Sequence, residues 1–458
     1  MSWTLADILS ATAGRLEQWG PGPFAGVSTD SRQPSEGSVF VALAGATHDG
    51  HDHVAAAIAA GATAIVVARD VEAPPLGVAW IRVRDGLRAL GDLAAYRRRR
   101  LAARVVAITG SNGKTTTKEM IASILAASGA PVARTRGTEN NLIGLPMTLL
   151  RLDGSESFVV LEMGMNHAGE IWRLAEIARP DVGVITNVGP AHLEGLGTLD
   201  NVAAAKGELA LALASAATLV VNGDDPRLVL VAEGFHGRRL LVSATEGLVR
   251  LLSAEPLGDE GQRLVIGIGE RAVVARLRAV GAHNATNAAL AAAAACALGA
   301  SPEMIAAGLE AFEPPPMRLS RVRLPSGARL WNDAYNANPG SMAAAFVALA
   351  GERAARRIAV LGEMRELGAE AARWHRDTGE AAARSGIDML VLVGQFAEDT
   401  AAGAISAGLS AERVHVAESA TAAAALLAGE LGEGDLVLVK GSRVSRMEDV
   451  IRGLEEAH

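Results

Sequence analysis

Cysteine is almost absent. Cys296 is the one thiol in 458 residues, so no disulfide can close within the chain, and its setting in an alanine-rich run reads as a core position. Aromatic residues reach only 3%, which argues against an aromatic-rich β-sandwich; abundant alanine and glycine argue instead for helices packed closely over sheets. Positive charge is also in deficit. Lys and Arg number 43 against 51 Asp and Glu, a formal charge of −8, so no nucleic acid is expected as partner, because phosphate backbones call for clustered cations. The one basic run, Arg97 to Arg100, reads as the solvated end of a helix before a linker. No uncharged stretch approaches the ~18 strongly apolar residues of a membrane span. The N-terminus, MSWTLADILS, has no basic segment leading into an apolar one. A soluble, cytoplasmic, monomeric protein without integral membrane association is expected.

What is present is a phosphate cradle. In VAITGSNGKTTTK an apolar strand runs into Gly110-Ser111-Asn112-Gly113-Lys114-Thr115 and a helix follows from near Thr116. Glycines let successive N–H groups turn toward one anion, and the helix start adds a positive dipole end. Lys114 can reach the β/γ-phosphates of a nucleoside triphosphate, and the Thr115 hydroxyl can ligate Mg²⁺. The loop is a short variant, with Ser111 and Asn112 alone between the glycine and the Gly-Lys pair.

The chain exceeds one hydrophobic core, and a prior of about 150 residues per domain suggests roughly three. Residues 1–101 alternate short β-like runs (38–43, 64–67, 79–83) with helical ones (54–60, 87–99), a small α/β unit. In residues 102–315 the strands 105–109, 158–162, 182–187 and 218–221 alternate with helices, as in a parallel sheet with right-handed crossovers. Segment 246–280 reads as a β-rich excursion. Glu313-Pro-Pro-Pro-Met317 breaks any helix and marks a boundary. In residues 316–458 the apolar strands 358–361, 389–393 and 436–439 form a Rossmann-like unit without a phosphate loop. The expected fold is thus α/β in three domains: a small N-terminal α/β substrate domain, a central P-loop parallel-sheet ATPase domain and a C-terminal Rossmann-like domain.

Ligands in open α/β sheets gather beyond the carboxyl ends of the strands. Glu162 ends the strand FVVLE, and His192 follows the strand at 182–187 by the loop GPAH, so both should approach the phosphates, where a metal needs hard ligands and tolerates an imidazole. Lys206 lies on a helix read as capped by Asp200 or Asn201, and spacing alone makes it a surface residue. For Asn284 and Asn287, near a helix start, N-capping competes with adenine recognition. Arg318 and the run Asn332-Asp333-Ala334-Tyr335-Asn336-Ala337-Asn338-Pro339 read as a turn that could equally hold ribose and phosphates.

Taken together, STDSRQPSEGSVFVALAG, HDGHDH, TGSNGKTTTKEM, TRGTENNLIGLP, LEMGMNHAGEI, TNVGPAHLEGLGTLDNVAAAKGEL, HNATNA, NDAYNANPGSM, LGEMRELG and KGSRVSRMEDV resemble the Mur ligase family, in order and spacing over most of the chain. The resemblance implies an ATP- and Mg²⁺-dependent enzyme. It would join D-alanyl-D-alanine to the terminal carboxylate of UDP-N-acetylmuramoyl-tripeptide through an acyl phosphate, in peptidoglycan synthesis. It implies nucleotide binding by Gly110, Asn112, Gly113, Lys114, Thr115 and Thr116, with Asn287 at adenine, Arg318 at phosphate and Asp333 at ribose. Catalytic roles go to Lys114, Glu162, His192 and Lys206. Metal ligation falls to Thr115, Glu162 and His192, and to Lys206 if carbamylated, which would turn an ammonium into a carboxylate-like anion. Asp30, Ser31 and Arg32 would meet the uridine diphosphate. Asn140, Asn141, Asn336 and Asn338 would meet substrate. Two positions depart from the family pattern: Thr138 stands where asparagine is usual, and Ala334 lacks a serine hydroxyl. Two other readings fit less fully, an amide ligase acting on another carboxylate such as a folate, and a nucleotide-dependent switch. Because the phosphate loop and Arg318 lie on opposite sides of the proline break, a competent site should assemble only on domain closure.

Overall fold

The computed structural model describes residues 2–32, 36–45 and 47–457, so residues 33–35 within the STDSRQPSEG segment lie outside it. Among the described residues the strands form three sheets. In the first, β1 (Arg15–Gln18), β2 (Val27–Ser28), β3 (Val39–Val41), β4 (Ala64–Val67) and β5 (Ala79–Arg82) lie in the order β1-β5-β4-β3-β2, parallel except for β1. The second holds β6 (Arg104–Thr109), β7 (Val132–Arg134), β8 (Phe158–Glu162), β9 (Val182–Ile185), β10 (Thr218–Asn222), β11 (Arg238–Ser243), β12 (Val249–Pro256), β13 (Gln262–Ile268) and β14 (Arg271–Leu277). Its order is β14-β13-β12-β11-β10-β9-β6-β8-β7. The 246–280 segment therefore prolongs one edge of the sheet, as the antiparallel ribbon β12–β14.

The third sheet orders β15 (Ser320–Arg323), β16 (Arg329–Asp333), β17 (Arg356–Leu361), β18 (Met389–Val393), β19 (Val414–Ala417) and β20 (Asp435–Lys440) as β15-β16-β20-β17-β18-β19. Only β15 is antiparallel. Strands β15, β16 and β19 were not anticipated. They are short and half exposed, with polar residues such as Arg321, Arg329 and His415 interrupting the apolar pattern.

Two apolar clusters sandwich the middle sheet. On one face, alternate residues Val106 and Ile108 of β6 pack with Ile121 and Ile124 of the Lys114–Ala126 helix and with Ala288 to Ala295, all fully buried, of the Ala282–Ala297 helix. Methyl-sized side chains let that helix lie close to the strands. Cys296 is only partly buried, packed against this cluster. On the other face, Val105 and Ala107 join Ile177, Leu145 and, from the first domain, Leu90, Leu93, Ile81 and Val39 in one continuous core.

The basic run ends the Gly86–Arg98 helix with Arg99 and Arg100 exposed, but Arg97 and Arg98 belong to this seam, which corrects their reading as part of a solvated helix end. Arg97 is 4% exposed and donates to the carbonyl of Leu152, and Arg98 donates to the carbonyls of Ala178 and Arg179. These carbonyls lie at or just past the C-termini of the Gly144–Leu150 and Glu170–Ala178 helices, where the helix supplies no partner, and the arginine side chains satisfy them.

Candidate active site

Strand β6 delivers the chain into the phosphate loop, and the helix begins at Lys114, two residues earlier than expected. Gly110 and Gly113 have φ of +147° and +81°, and a Cβ at Gly110 would run into the Thr186 hydroxyl, one at Gly113 into the Asn287 side-chain amide. Only glycine suits these two positions. The loop is also braced from the chain following β9. Asn187 accepts from the Asn112 N–H at 2.9 Å and donates back to the Asn112 carbonyl at 3.1 Å, while the Thr186 hydroxyl donates to the same carbonyl. Ser111 exchanges hydrogen bonds with the backbone of Gly189, both at 2.9 Å. Thr186, Asn187 and Gly189 went unrecognised; their nearest signal was their position just beyond a strand end.

Two adjoining cavities flank this loop. The larger, about 480 Å³, brings together Lys114, Thr115, Asn140, Asn141, Glu162, His192, Arg318, Asn336 and Asn338. In it, Glu162 accepts from the Thr115 hydroxyl at 2.8 Å and from the Asn140 amide at 2.9 Å. Lys114 folds onto the Gly110 carbonyl at 2.7 Å, and burial pulls its amine below the usual lysine range despite the opposing pull of Glu162. The second cavity, about 420 Å³, is lined by Asn112, Gly113, Thr116, Asn222, His283, Asn287, Arg318 and Asp333.

Asn284 and Asn287 do not cap the helix. It starts at Ala282 after Gly281, so both side chains fall on its buried face: the Asn284 amide donates to the Val280 carbonyl at 2.8 Å, and that of Asn287 donates to the Asn284 side chain at 3.2 Å. The helix of Lys206 is capped by Thr198, whose hydroxyl accepts from the Asn201 N–H at 3.2 Å; Asp200 and Asn201 lie inside its first turn. Nor is Lys206 a surface residue. It is 1% exposed, has no hydrogen-bond or ion-pair partner among the described residues, and burial, reinforced by the charge of Lys114, depresses its amine well below the usual range. Asp30 and Arg32 pair with each other at 2.8 Å on the exposed surface, and residues 30–32 line neither cavity.

The third domain completes the site. Arg318 donates to the Thr115 hydroxyl at 3.0 Å, with its guanidinium 4.1 Å from the centre of the Tyr335 ring. Asn112 and Asn338 exchange side-chain hydrogen bonds at 3.2 and 2.8 Å. Asp333 accepts from Lys440 at 2.5 Å and from the Leu319 N–H at 3.2 Å. Nδ1 of His192 lies 2.6 Å from a Glu366 carboxylate oxygen, close enough to pair ionically although its angle leaves no formed hydrogen bond. His192 beside it, working against burial, holds the Glu366 carboxyl below its usual range. Glu366 and Arg365 lie in the LGEMRELG segment, but no role was assigned to them, since they sit on a loop far along the chain from the phosphate loop and His192 that they face.

Comparison with known proteins places the whole chain. Family models match in sequence: Mur ligase family, catalytic domain, over residues 23–98; Mur ligase middle domain over 108–295; and Mur ligase, glutamate ligase domain, over 317–443. The chain is 37% identical to the UDP-N-acetylmuramoyl-tripeptide--D-alanyl-D-alanine ligase of Escherichia coli K12, covering 100% of this chain and 99% of that protein. A crystal structure of MurF from Acinetobacter baumannii superposes with a TM-score of 0.92 at 33% identity, over 100% of this chain and 99% of that one. A MurF ligase from Thermotoga maritima in complex with ADP superposes with a TM-score of 0.85 at 28% identity, over 94% and 97%.

Proposed function

The chain belongs to the Mur ligase family, and from that premise we propose how its site works as an ATP-dependent amide ligase. It joins D-alanyl-D-alanine to the terminal carboxylate of UDP-N-acetylmuramoyl-tripeptide in peptidoglycan synthesis. A carboxylate is a poor electrophile. Its oxygen attacks the γ-phosphorus of ATP, the bond to the β-phosphate oxygen breaks, and ADP leaves, so that the acyl group now carries phosphate as leaving group. The dipeptide amine, having lost a proton, attacks the acyl carbon, and the tetrahedral adduct collapses to amide and inorganic phosphate. Positioning and charge neutralisation do most of the catalysis.

In this reading the second cavity takes the adenosine end, with Asn287 at the base and Asp333 at the ribose. The loop 110–116 cradles the phosphates, and Lys114 swings from the Gly110 carbonyl to the β/γ-phosphates. Arg318 adds positive charge from the third domain. Asn140, Asn141, Asn336 and Asn338 position the acceptor carboxylate and its neighbouring amides, and Asp30, Ser31 and Arg32 hold the distant uridine diphosphate. The donor set suits Mg²⁺, which takes one or two protein oxygens and completes its octahedron with phosphate and water: Thr115 and Glu162 are hard oxygen donors 2.8 Å apart, with His192 in the same cavity. Bound there, Mg²⁺ would neutralise charge on the phosphate oxygens. Burial holds the unpartnered amine of Lys206 well below the usual lysine range, which favours the uncharged form that reacts with carbon dioxide and so supports carbamylation and a second anionic ligand.

The observation that carries this reading is the phosphate loop of the middle domain meeting Arg318, Asn338 and Glu366 of the third across one cavity. A module that only sensed nucleotide would not need the Glu162, His192 and Lys206 set. The test is phosphate release from ATP with UDP-muramoyl-tripeptide, adding D-Ala-D-Ala, D-Ala or an L-amino acid, with mass analysis of product. Gain of one dipeptide is expected. Preference for a folyl acceptor or a single amino acid would overturn it.

A further inference from the structure

We propose that Arg365 receives the free carboxylate of the incoming dipeptide, an assignment that rests on the ligase reading above. The dipeptide enters with an amine that must reach the acyl carbon and, at its other end, a carboxylate that loses water as the site closes and so needs a fixed cation. Three lysine and arginine side chains face the larger cavity: Lys114, Arg318 and Arg365. Two of them serve the phosphate loop, Lys114 through the Gly110 carbonyl and Arg318 through the Thr115 hydroxyl. Arg365 stands on the third-domain wall instead. Its side chain is 56% exposed, and its one hydrogen-bond partner among the described residues, a Glu363 oxygen at 3.2 Å, engages a single nitrogen. The rest of the guanidinium fork remains open to a carboxylate, which it can bind through two parallel N–H donors.

The turn that presents Arg365 is pinned on both sides of it. The Met364 N–H donates to Nε2 of His375 at 2.9 Å; His375, 3% exposed, has Nδ1 2.7 Å from the Ala371 carbonyl, and its ring stacks on Phe396 with centroids 4.6 Å apart. Those two contacts fix the tautomer, with the proton on Nδ1. The Glu363 carbonyl accepts from the Ser442 N–H at 2.9 Å, and the Glu366 carbonyl accepts from the Glu194 N–H of the middle domain at 3.0 Å. A cation on a pinned turn loses little freedom when it binds. Glu366, the next residue, also lines the cavity and puts an anion beside that cation. A zwitterion thus meets opposite charges on adjacent residues of one wall.

The test compares D-Ala-D-Ala with its C-terminal amide in the wild type and in Arg365→Ala and Arg365→Lys. The wild type should prefer the free acid. Arg365→Ala should raise KM for the dipeptide roughly 10- to 100-fold, the range for one charged hydrogen-bonded contact, with KM for ATP and for the tripeptide acceptor unchanged, and should use acid and amide alike. Arg365→Lys should recover part of the preference, a point charge replacing a fork. Unchanged dipeptide KM in Arg365→Ala, or an undiminished preference for the acid, would overturn the assignment. Failure of the ligase reading looks different: wild-type enzyme would then yield no dipeptide adduct at all.

Discussion

At the scale of single residues, Lys206 separates stability from activity. Burying an amine without a partner is costly, and no packing argument calls for a lysine where methionine would fill the same volume. Lys206→Met should therefore leave the thermal midpoint unchanged or raise it, while turnover falls by roughly 10- to 100-fold or more, as for lost metal-site support; a lowered midpoint in a melting experiment would instead make the residue structural. Gly113 shows the opposite coupling. Gly113→Ala places a side chain at positive φ, a strain of about 1–2 kcal/mol, and pushes the Asn287 amide that lines the nucleotide cavity. Both the thermal midpoint and the affinity for ATP should drop, the second measurable by titration calorimetry. Of the residues singled out from sequence, those beside the loop were the most legible, because a strand end, two glycines, a lysine and a helix start are all local. For Asn284 and Asn287 capping stayed open beside adenine recognition, because only the observed helix start at Ala282 puts both beyond the cap and onto the buried face.

At the scale of elements, the helix that carries Lys206 depends on its first turn. Thr198→Ala removes the hydroxyl that accepts from the Asn201 N–H and should cost about 1 kcal/mol, whereas Thr198→Ser should cost little; urea unfolding of the two variants checks this, and an equal loss in both would point to the Thr198 methyl instead. Sequence favoured Asp200 or Asn201 for this role, since any of three neighbouring polar residues can cap and only the backbone conformation at Thr198, φ −124° and ψ 158°, decides. Buried strands of the three sheets were legible nearly to the residue, β4 and β8 among them, because continuous apolar runs bounded by turns have one reading. The half-exposed strands β15, β16 and β19 were not, since charged residues on their open faces dilute that pattern. Arg97 and Arg98 were misread for a different reason: the Leu152, Ala178 and Arg179 carbonyls they serve lie more than fifty residues away, and no local rule points to them.

At the scale of the whole molecule, the two seams differ in kind. The first and middle domains share one apolar core, whereas the third domain meets the middle one chiefly through polar contacts, Asn112 with Asn338, Thr115 with Arg318 and His192 with Glu366, beside a few apolar residues such as Leu193 and Val280. The third domain is accordingly the body expected to open and close. Asn338→Ser keeps the cap of the Pro339–Ala350 helix but cannot reach Asn112, so small-angle scattering should report a larger radius of gyration without substrates and a return to the compact value when ATP and acceptor are added. An unchanged radius would mean that the amide pair does not hold the seam. This asymmetry also bears on inhibitor design. A wedge between the first two domains must pull apart packed apolar surface, and the molecule resists it with its full hydrophobic core. A wedge at the third domain has only to replace a few hydrogen bonds with its own, so a small polar compound seated between Asn112 and Asn338 would jam the enzyme open without unfolding any part of it.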